Sequence, residues 1–262
     1  MLITDSKKPD KKGSGHMTTQ NKALNDLRFE LKKIADWSFF RVPELEEAGI
    51  LHGFCTGSSP SNLLHEETRQ GFLDAFSLKN LVSMNQEHGN DVHVISIGQK
   101  PNSGDGLIIL EKNVAGIIKT ADCLPIIICD TQYPAASIIH AGWRGTEKKI
   151  VGKTVLAMEQ LGSRKENMVA LLGPSIGPCC YEVKEDVYSL FNKDGFPEYI
   201  FHKKSNSLFL DLKQANIWML QEGGINKVYD LDMCTHCNDD LFYSFRRGDM
   251  GKRQINFVSL KG

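Results

Sequence analysis

The chain has 262 residues, 41% of them hydrophobic and 24% charged, and its 31 basic and 32 acidic residues leave a formal net charge of -1. This length supports one large domain or two small ones, and the even charge balance gives no support for a nucleic-acid partner. No apolar run approaches the roughly 18 residues of a membrane span and no secretory segment lies near the start, so no membrane partner and a cytoplasmic location are expected.

Residues 1–20 are charged, contain Gly and Ser, and show no hydrophobic period. They are expected to be disordered, and their GSGHM stretch is tag-like, which leaves residues 21–262 as a single domain. Residues 24–34 read as a short helix or a partly ordered lead-in. Phe39, Phe40 and Val42 open the first apolar segment, and residues 49–55 read as a strand leaving through Thr-Gly-Ser-Ser-Pro. Glu66–Phe76 has helical spacing, with Phe72, Leu73 and Phe76 on one side. Residues 81–84 and 92–97 are strand candidates, and 100–106 form a polar loop containing glycine. Residues 107–110 and 114–119 predict an antiparallel pair turning through Glu-Lys-Asn.

Residues 124–129 and 135–140 predict two strands that are apolar on both sides and therefore well buried. The clearest helix spans 145–161, with Ile150, Val151, Thr154, Val155 and Met158 as its apolar stripe and Gly162 at its exit. A buried strand follows at Met168–Leu172. Residues 181–191 predict a further helix, and 209–212 lead into another at 213–222. Residues 227–231, 242–245 and 255–260 read as the last strands. Strands and helices mix without a regular βα repeat, which argues against a barrel or a doubly wound sheet. The expected fold class is α+β, a layered α/β domain with mixed, largely antiparallel sheets.

Three residues carry most of the chemistry. Cys123 in KTADCLPIIIC begins an apolar run, His140 in IIHAGWRG ends the next, and His88 lies in NQEHGNDVH. A thiolate and two imidazoles suit zinc, with a fourth position left open for a water whose pKa the metal lowers. The same residues also read as a Cys123 nucleophile with His140 as its base, the imidazole oriented by Asp122 or Asp105. A third reading makes Cys123 a core thiol and the histidines ordinary polar residues. Spacing leaves these open, although it is not the spacing of a zinc finger.

Arg144 stands beside a helix start, where it suits either an anion or a surface ion pair. Arg246 and Arg247 sit in FYSFRRGD, and Asp105 in the loop NSGDG. GPSIGP suits a pocket wall but lacks the spacing of a phosphate-binding loop. The seven cysteines are an odd number in a long chain, which argues against a disulfide framework. Cys129 reads as buried and inert. Cys179-Cys180 and Cys234-Thr-His-Cys237 cluster, yet a CxxC without another such pair is little evidence for a second metal, and His236 reads as a local polar residue.

KTADCLPIII, HAGWRGT, GPSIGPCCYEV, CTHCNDDLFYSFRRG and GKRQ, in this order, resemble the bacterial YfiH/YlmD family, once called multicopper polyphenol oxidoreductases or the laccase-domain family. The resemblance runs from about Leu81 to the C-terminus. It implies a YfiH-like single catalytic domain, related in shape to the catalytic domains of some cysteine-dependent deamidating toxins. In the family a histidine in Gln-Xaa-His-Gly, a cysteine in Ala-Asp-Cys-Leu-Pro and a histidine in His-Ala-Gly-Trp-Arg-Gly bind zinc, which points to His88, Cys123 and His140 here. Copper is possible on the same ligands, since its affinity exceeds that of zinc on common sites.

The implied activity is phosphorolysis of adenosine, inosine, guanosine and methylthioadenosine to free base and ribose 1-phosphate. Adenosine deamination accompanies it, with metal-activated water attacking C6 and displacing ammonia. The resemblance makes Cys123, His140 and His88 catalytic. Motif position and chemistry add Asp122 as an acid/base or ligand-orienting group, and Arg144, Arg246 and Asp105 as substrate contacts. The expected partners are purine nucleosides and phosphate, with the chain a monomer or weak homodimer. A Cys-His thiol hydrolase or deamidase, a copper-dependent polyphenol oxidoreductase and a binding protein are the competing classes. Eight histidines are few for a four-copper centre. One departure from the family lies near Thr56, where an arginine and a double glycine are missing. Ser58, Ser59 and Arg69 are the nearby residues able to fill that role.

Overall fold

The computed structural model describes residues 28–95 and 101–262. The segment 1–20 and the end of the strand expected at 92–97 lie outside the described residues. In chain order the elements are β1 (Glu30–Ile34), β2 (Trp37–Arg41), α1 (Pro43–Glu47), β3 (Ile50–Cys55), α2 (Glu66–Phe76), β4 (Asn80–Val82), β5 (Val92–Ile95), β6 (Gly106–Ile109), β7 (Val114–Thr120), β8 (Leu124–Asp130) and β9 (Ala135–Ala141). They continue with α3 (Trp143–Glu147), α4 (Ile150–Gln160), β10 (Met168–Leu172), β11 (Glu182–Val183), α5 (Glu185–Lys193), β12 (Phe201–Lys204), β13 (Ser207–Leu210), α6 (Leu212–Glu222), β14 (Val228–Asp230) and β15 (Gln254–Leu260).

Two six-stranded sheets form the body, ordered β1-β2-β3-β15-β7-β4 and β14-β10-β8-β9-β6-β5, with a small sheet β11-β13-β12 beside them. Among the described strands only β4–β7, β5–β6 and β10–β14 pair in parallel. This is the mixed, mostly antiparallel α+β architecture expected from the sequence.

The apolar pattern explains the layering. Successive strand residues point to opposite faces. In β8, Ile127 and Cys129 turn toward the first sheet and join Phe54, Ile118 and Val258 in one core. Leu124, Ile126 and Ile128 turn the other way and pack on α4 and α6 through Val151, Val155 and Leu220. The outer face of the first sheet carries Phe39, Ile117 and Phe257 against Phe72 and Phe76 of α2. Both faces of each sheet are therefore covered, and the central strands read as unbroken apolar runs.

The structure revises several expectations. Glu30–Ile34 is a strand paired with β2, within the region read as a helix or lead-in. β6 and β7 do not pair with each other. Glu111, Lys112 and Asn113 carry the chain from one sheet to the other, so the two strands lie in different layers. Their equal apolarity satisfied a hairpin reading and a sheet crossing alike. The helix expected at 145–161 is two helices, broken where Lys149 takes a left-handed φ of +58°. The helix expected at 181–191 begins only at Glu185, after the short strand β11. Residues 242–244 are irregular and Phe245 opens a turn, instead of a strand: the Phe242 amide donates to the Asn238 carbonyl, the Ser244 amide to the Asp249 carboxylate, and the Arg247 guanidinium to the Phe242 carbonyl.

One buried polar group predicts a pH response. His52 in β3 is buried; its Nε2 accepts from the Val42 amide at 2.9 Å and its Nδ1 donates to the Ile50 carbonyl at 2.9 Å. The neutral ring satisfies both contacts. Burial lowers its pKa from 6.5 to about 4. Between those values the unfolded chain binds the proton that the folded chain refuses, so stability falls with pH from 6.5 to 4. The expected loss is on the order of 2–3 kcal/mol. Urea unfolding of wild type and His52→Gln over this range checks it, and the variant should show the flatter profile.

Candidate metal centre and pocket

Strand register assembles the site. In the second sheet β6, β9 and β8 lie side by side, with Gly106 opposite Ile139 and Pro125 opposite His140. Asp105 and Cys123, each one residue before its strand, therefore flank His140 at the same end of the sheet. The His140 amide donates to the Asp105 carbonyl at 2.7 Å, extending the ladder by one step.

Asp105 is fully buried and its carboxylate is the hub of the site. Oδ1 accepts from His140 Nδ1 at 2.7 Å and from the His88 amide at 3.0 Å. Oδ2 accepts from the Gly89 amide at 2.6 Å and the Glu87 amide at 3.3 Å. One carboxylate thus holds the loop that carries His88 and sets the His140 tautomer, leaving Nε2 free to act as a ligand. Expected from sequence as a substrate contact or as a group orienting the imidazole, Asp105 bonds to His140 and does not line the pocket. Its two oxygens are filled by protein donors. Burial raises its carboxyl, but the bonds from His140 and from the Gly89 and His88 amides outweigh this and hold it below the usual carboxylate range.

His88 itself adopts a left-handed φ of +59°. That uncommon conformation is stabilised by the bonds to Asp105 and by Gln86, whose amide group pairs with the Lys119 backbone at 2.8 and 2.7 Å. The His88, Cys123 and His140 ligand atoms all lie within 4.8 Å of one another. Burial raises the Cys123 thiol, yet the His140 and His88 imidazoles beside it bring it down to about 6. Burial lowers His140, while the Cys123 sulfur and Asp105 raise it to about 9. Without a metal these shifts favour a thiolate beside a protonated imidazole; a bound cation would take the place of the proton on Nε2.

Two glycines make room. A Cβ on Gly142 would stand 3.1 Å from Cys123 Sγ and 3.3 Å from the His88 ring, against two of the three ligands. A Cβ on Gly145 would meet the Gly89 carbonyl oxygen at 2.6 Å. Since that neighbour is backbone, Gly145→Ala is expected to push α3 off the His88 loop. We expect a loss of about 1–3 kcal/mol by thermal unfolding, together with weaker zinc uptake by titration.

Asp122 has a φ of +90° and lines the pocket. Its carboxylate accepts from the Thr235 hydroxyl at 2.6 Å and the Arg246 amide at 2.7 Å, and its carbonyl accepts from the Ile176 amide at 2.9 Å. It ties three segments together at the base of Cys123, the geometry of a positioning group.

The cluster forms the floor of a cavity of about 960 Å³, inside the approximate 300–1,000 Å³ range of small-molecule sites. Arg144 and Arg246 both line it. Arg144 lies over the Trp143 ring at 4.3 Å, and Arg246 lies over Tyr181 at 5.4 Å while donating to the Glu182 carbonyl. Sequence reading missed Trp143, Tyr181, Phe245 and Arg253 of the same lining. Phe245 is 51% exposed, a large ring at the cavity wall; the signal was the FYSFRRG run, whose residues 242–245 read as a strand. Ser59 bonds to Ser38 and Arg69 to Asn80, while Ser58 pairs with Thr56. None of the three lines the pocket.

The model of the family described as multi-copper polyphenol oxidoreductase laccase matches residues 51–261. The chain belongs to this family. Similar solved structures include the Bacillus licheniformis protein YfiH, with a TM-score of 0.78, 25% identity and coverage of 89% of this chain and 99% of that one. YlmD from Geobacillus stearothermophilus also gives 0.78 at 25% identity, covering 90% of this chain and 100% of that one. The curated relative "Purine nucleoside phosphorylase LACC1" of Homo sapiens is 31% identical over 71% of this chain and 45% of that protein. "Purine nucleoside phosphorylase" of Deinococcus radiodurans is 35% identical over 72% of this chain and 73% of that protein. The matches span from 45% to 66% of the length of the first three curated relatives. Among the described residues no helix is long and apolar enough to cross a membrane.

The donor set fits the zinc that the resemblance to YfiH and YlmD implies. Two imidazole nitrogens and one thiolate converge, one imidazole is braced from behind by a carboxylate, and Gly142 keeps the space beside them clear.

Proposed function

We propose that this chain is a zinc-dependent purine nucleoside phosphorylase that also deaminates adenosine. The observation that carries the reading is the His88–Cys123–His140 cluster at the floor of a pocket lined by arginines and aromatic rings. Curated relatives named purine nucleoside phosphorylase support it. The substrates are adenosine, inosine, guanosine and methylthioadenosine with phosphate.

His88, Cys123 and His140 would hold the metal, which when bound supplies a Lewis acid at the pocket floor. Arg144, Arg246 and Arg253 supply the positive charge that phosphate requires. Trp143, Tyr181 and Phe245 offer flat apolar faces to a purine ring. Asp105 keeps His140 in one tautomer, and Asp122 holds the Cys123 and Arg246 segments together.

The test incubates zinc-loaded protein with each nucleoside, with and without phosphate, and separates the products. Free base and ribose 1-phosphate formed only with phosphate, and inosine from adenosine, are expected. Neither product from zinc-loaded protein, with the Deinococcus radiodurans protein active alongside, overturns the reading. Replacing Arg144 or Arg246 with alanine should raise the KM for phosphate, by about 10-fold or more for a lost charged hydrogen bond.

A second reading rests on the lowered Cys123 thiol beside His140 and Asp105, which is also the arrangement of a thiol hydrolase. Activity that survives rigorous chelation and disappears on alkylation would favour it.

A further inference from the structure

Of the six cysteines outside this site, four cluster. Cys179 and Cys180 follow Gly177-Pro178, and Cys234 and Cys237 belong to a turn after β14. Two backbone contacts bring the segments together: the Ser175 amide donates to the Met233 carbonyl at 3.3 Å, and the Thr235 amide to the Ser175 carbonyl at 3.0 Å. Read along the chain, the CxxC lacked a partner pair. The fold supplies it from adjacent cysteines more than fifty positions earlier.

The four sulfurs all lie within 4.8 Å of one another. Cys237 Sγ is 3.6 Å from Cys179 Sγ and 3.4 Å from Cys180 Sγ. A disulfide needs about 2.05 Å. Four sulfurs at about 2.3 Å from one zinc stand roughly 3.8 Å apart along the edges of a tetrahedron, the scale seen here. The Gly177 amide donates to Cys234 Sγ at 3.3 Å, and the Cys237 amide also hydrogen-bonds to that sulfur. Backbone N–H groups aimed at a sulfur stabilise the thiolate, the form that binds metal. None of the four lines the pocket.

We propose that Cys179, Cys180, Cys234 and Cys237 bind a second zinc ion in a closed, structural tetrathiolate site. An all-sulfur set of four has no open position for substrate and suits a thiophilic ion without redox change. Its placement gives it a task. One clamped segment leads to Ile176 and Tyr181 of the pocket wall; the other carries Thr235, which holds Asp122, and runs on toward Arg246. The ion would reinforce the two-bond backbone bridge that pairs the segments beyond β10 and β14.

Elemental analysis of the full chain, purified under reducing conditions, should give two zinc ions per chain. Cys123→Ala should retain one, and Cys234→Ser should retain one while unfolding at a lower temperature. Cobalt(II) added to the Cys123→Ala protein should give the intense visible bands and sulfur charge-transfer absorption of a tetrahedral thiolate site. That variant keeps all four sulfurs and lacks the other thiolate, so it answers even if Cys234→Ser does not fold. It also separates this site from the pocket, because failure of the nucleoside reading leaves the cobalt spectrum untouched. Cys123→Ala protein that binds neither zinc nor cobalt under reducing conditions overturns the proposal. So does peptide mapping that shows Cys179 or Cys180 disulfide-bonded to Cys237 in freshly purified protein.

Discussion

On the proposed function, Cys123→Ala is expected to abolish nucleoside turnover and remove the pocket zinc while leaving the fold intact. The sulfur is the only anionic donor among the three ligands, and losing it leaves two imidazoles that hold a divalent cation poorly. Loss of an outer partner of a metal ligand already costs about 10–100-fold, so loss of the thiolate should exceed that in both metal affinity and kcat/KM. The fold should survive because His140 keeps its 2.7 Å bond to Asp105 and remains paired when the thiolate is gone. Unchanged far-UV circular dichroism with absent turnover is the expected combination. An active, metal-bound Cys123→Ala protein would refute the ligand assignment.

Asp105→Asn is expected to have the next largest effect, and it acts through residues it never shares with substrate. The carboxylate accepts four hydrogen bonds, from His140 Nδ1 and from the amides of Glu87, His88 and Gly89. Asparagine has nearly the same shape, but its NH₂ turns a donor toward donors, leaving buried N–H groups without acceptors at about 1–3 kcal/mol. Zinc affinity should fall about 10–100-fold, since His140 loses the negative charge behind it and the His88 loop loosens. Zinc titration and urea unfolding on one preparation read both effects. Because Asp105 does not line the pocket, nucleoside KM in fully metal-loaded protein should move little, whereas a substrate-contact role would raise it.

Periodicity reported the interior of the fold well. β8, β9 and β10 are apolar on both faces because one face meets the other sheet and one meets helices, and that double burial is written into runs such as LPIIIC. α2 was equally legible, since its three core residues fall on one side of an otherwise polar helix. Pairing was less legible. β6 and β7 are apolar strands separated by Leu110 and three polar residues, a pattern that a hairpin and a crossing between sheets satisfy equally. The break at Lys149 was hidden for a related reason. The apolar stripe of α4 runs on without interruption, and only a left-handed backbone angle ends α3 before it.

Within the site, His88, Cys123 and His140 were singled out by residue chemistry and by the motifs around them. Asp105 reads both as a substrate contact and as a group orienting the imidazole, and the structure puts it against His140. Its burial follows from a strand register that no local pattern encodes. The aromatic lining of the pocket went unseen because single rings in turn segments carry no period.

Local chemistry along the chain determined which side chains can act: a thiol at the head of an apolar strand, two histidines near glycines, arginines beside aromatics, and cysteines in pairs. Those properties belong to residue type and nearest neighbours, and a sequence displays them directly. Tertiary structure decided which of them meet. Strand order β6-β9-β8 put Asp105 behind His140 and Cys123 beside it, and the contact between the 173–181 and 232–238 segments completed a CxxC with a distant cysteine pair. Such meetings depend on hydrogen-bond register across elements far apart in the chain, where a shift of one residue would turn every side chain to the other face.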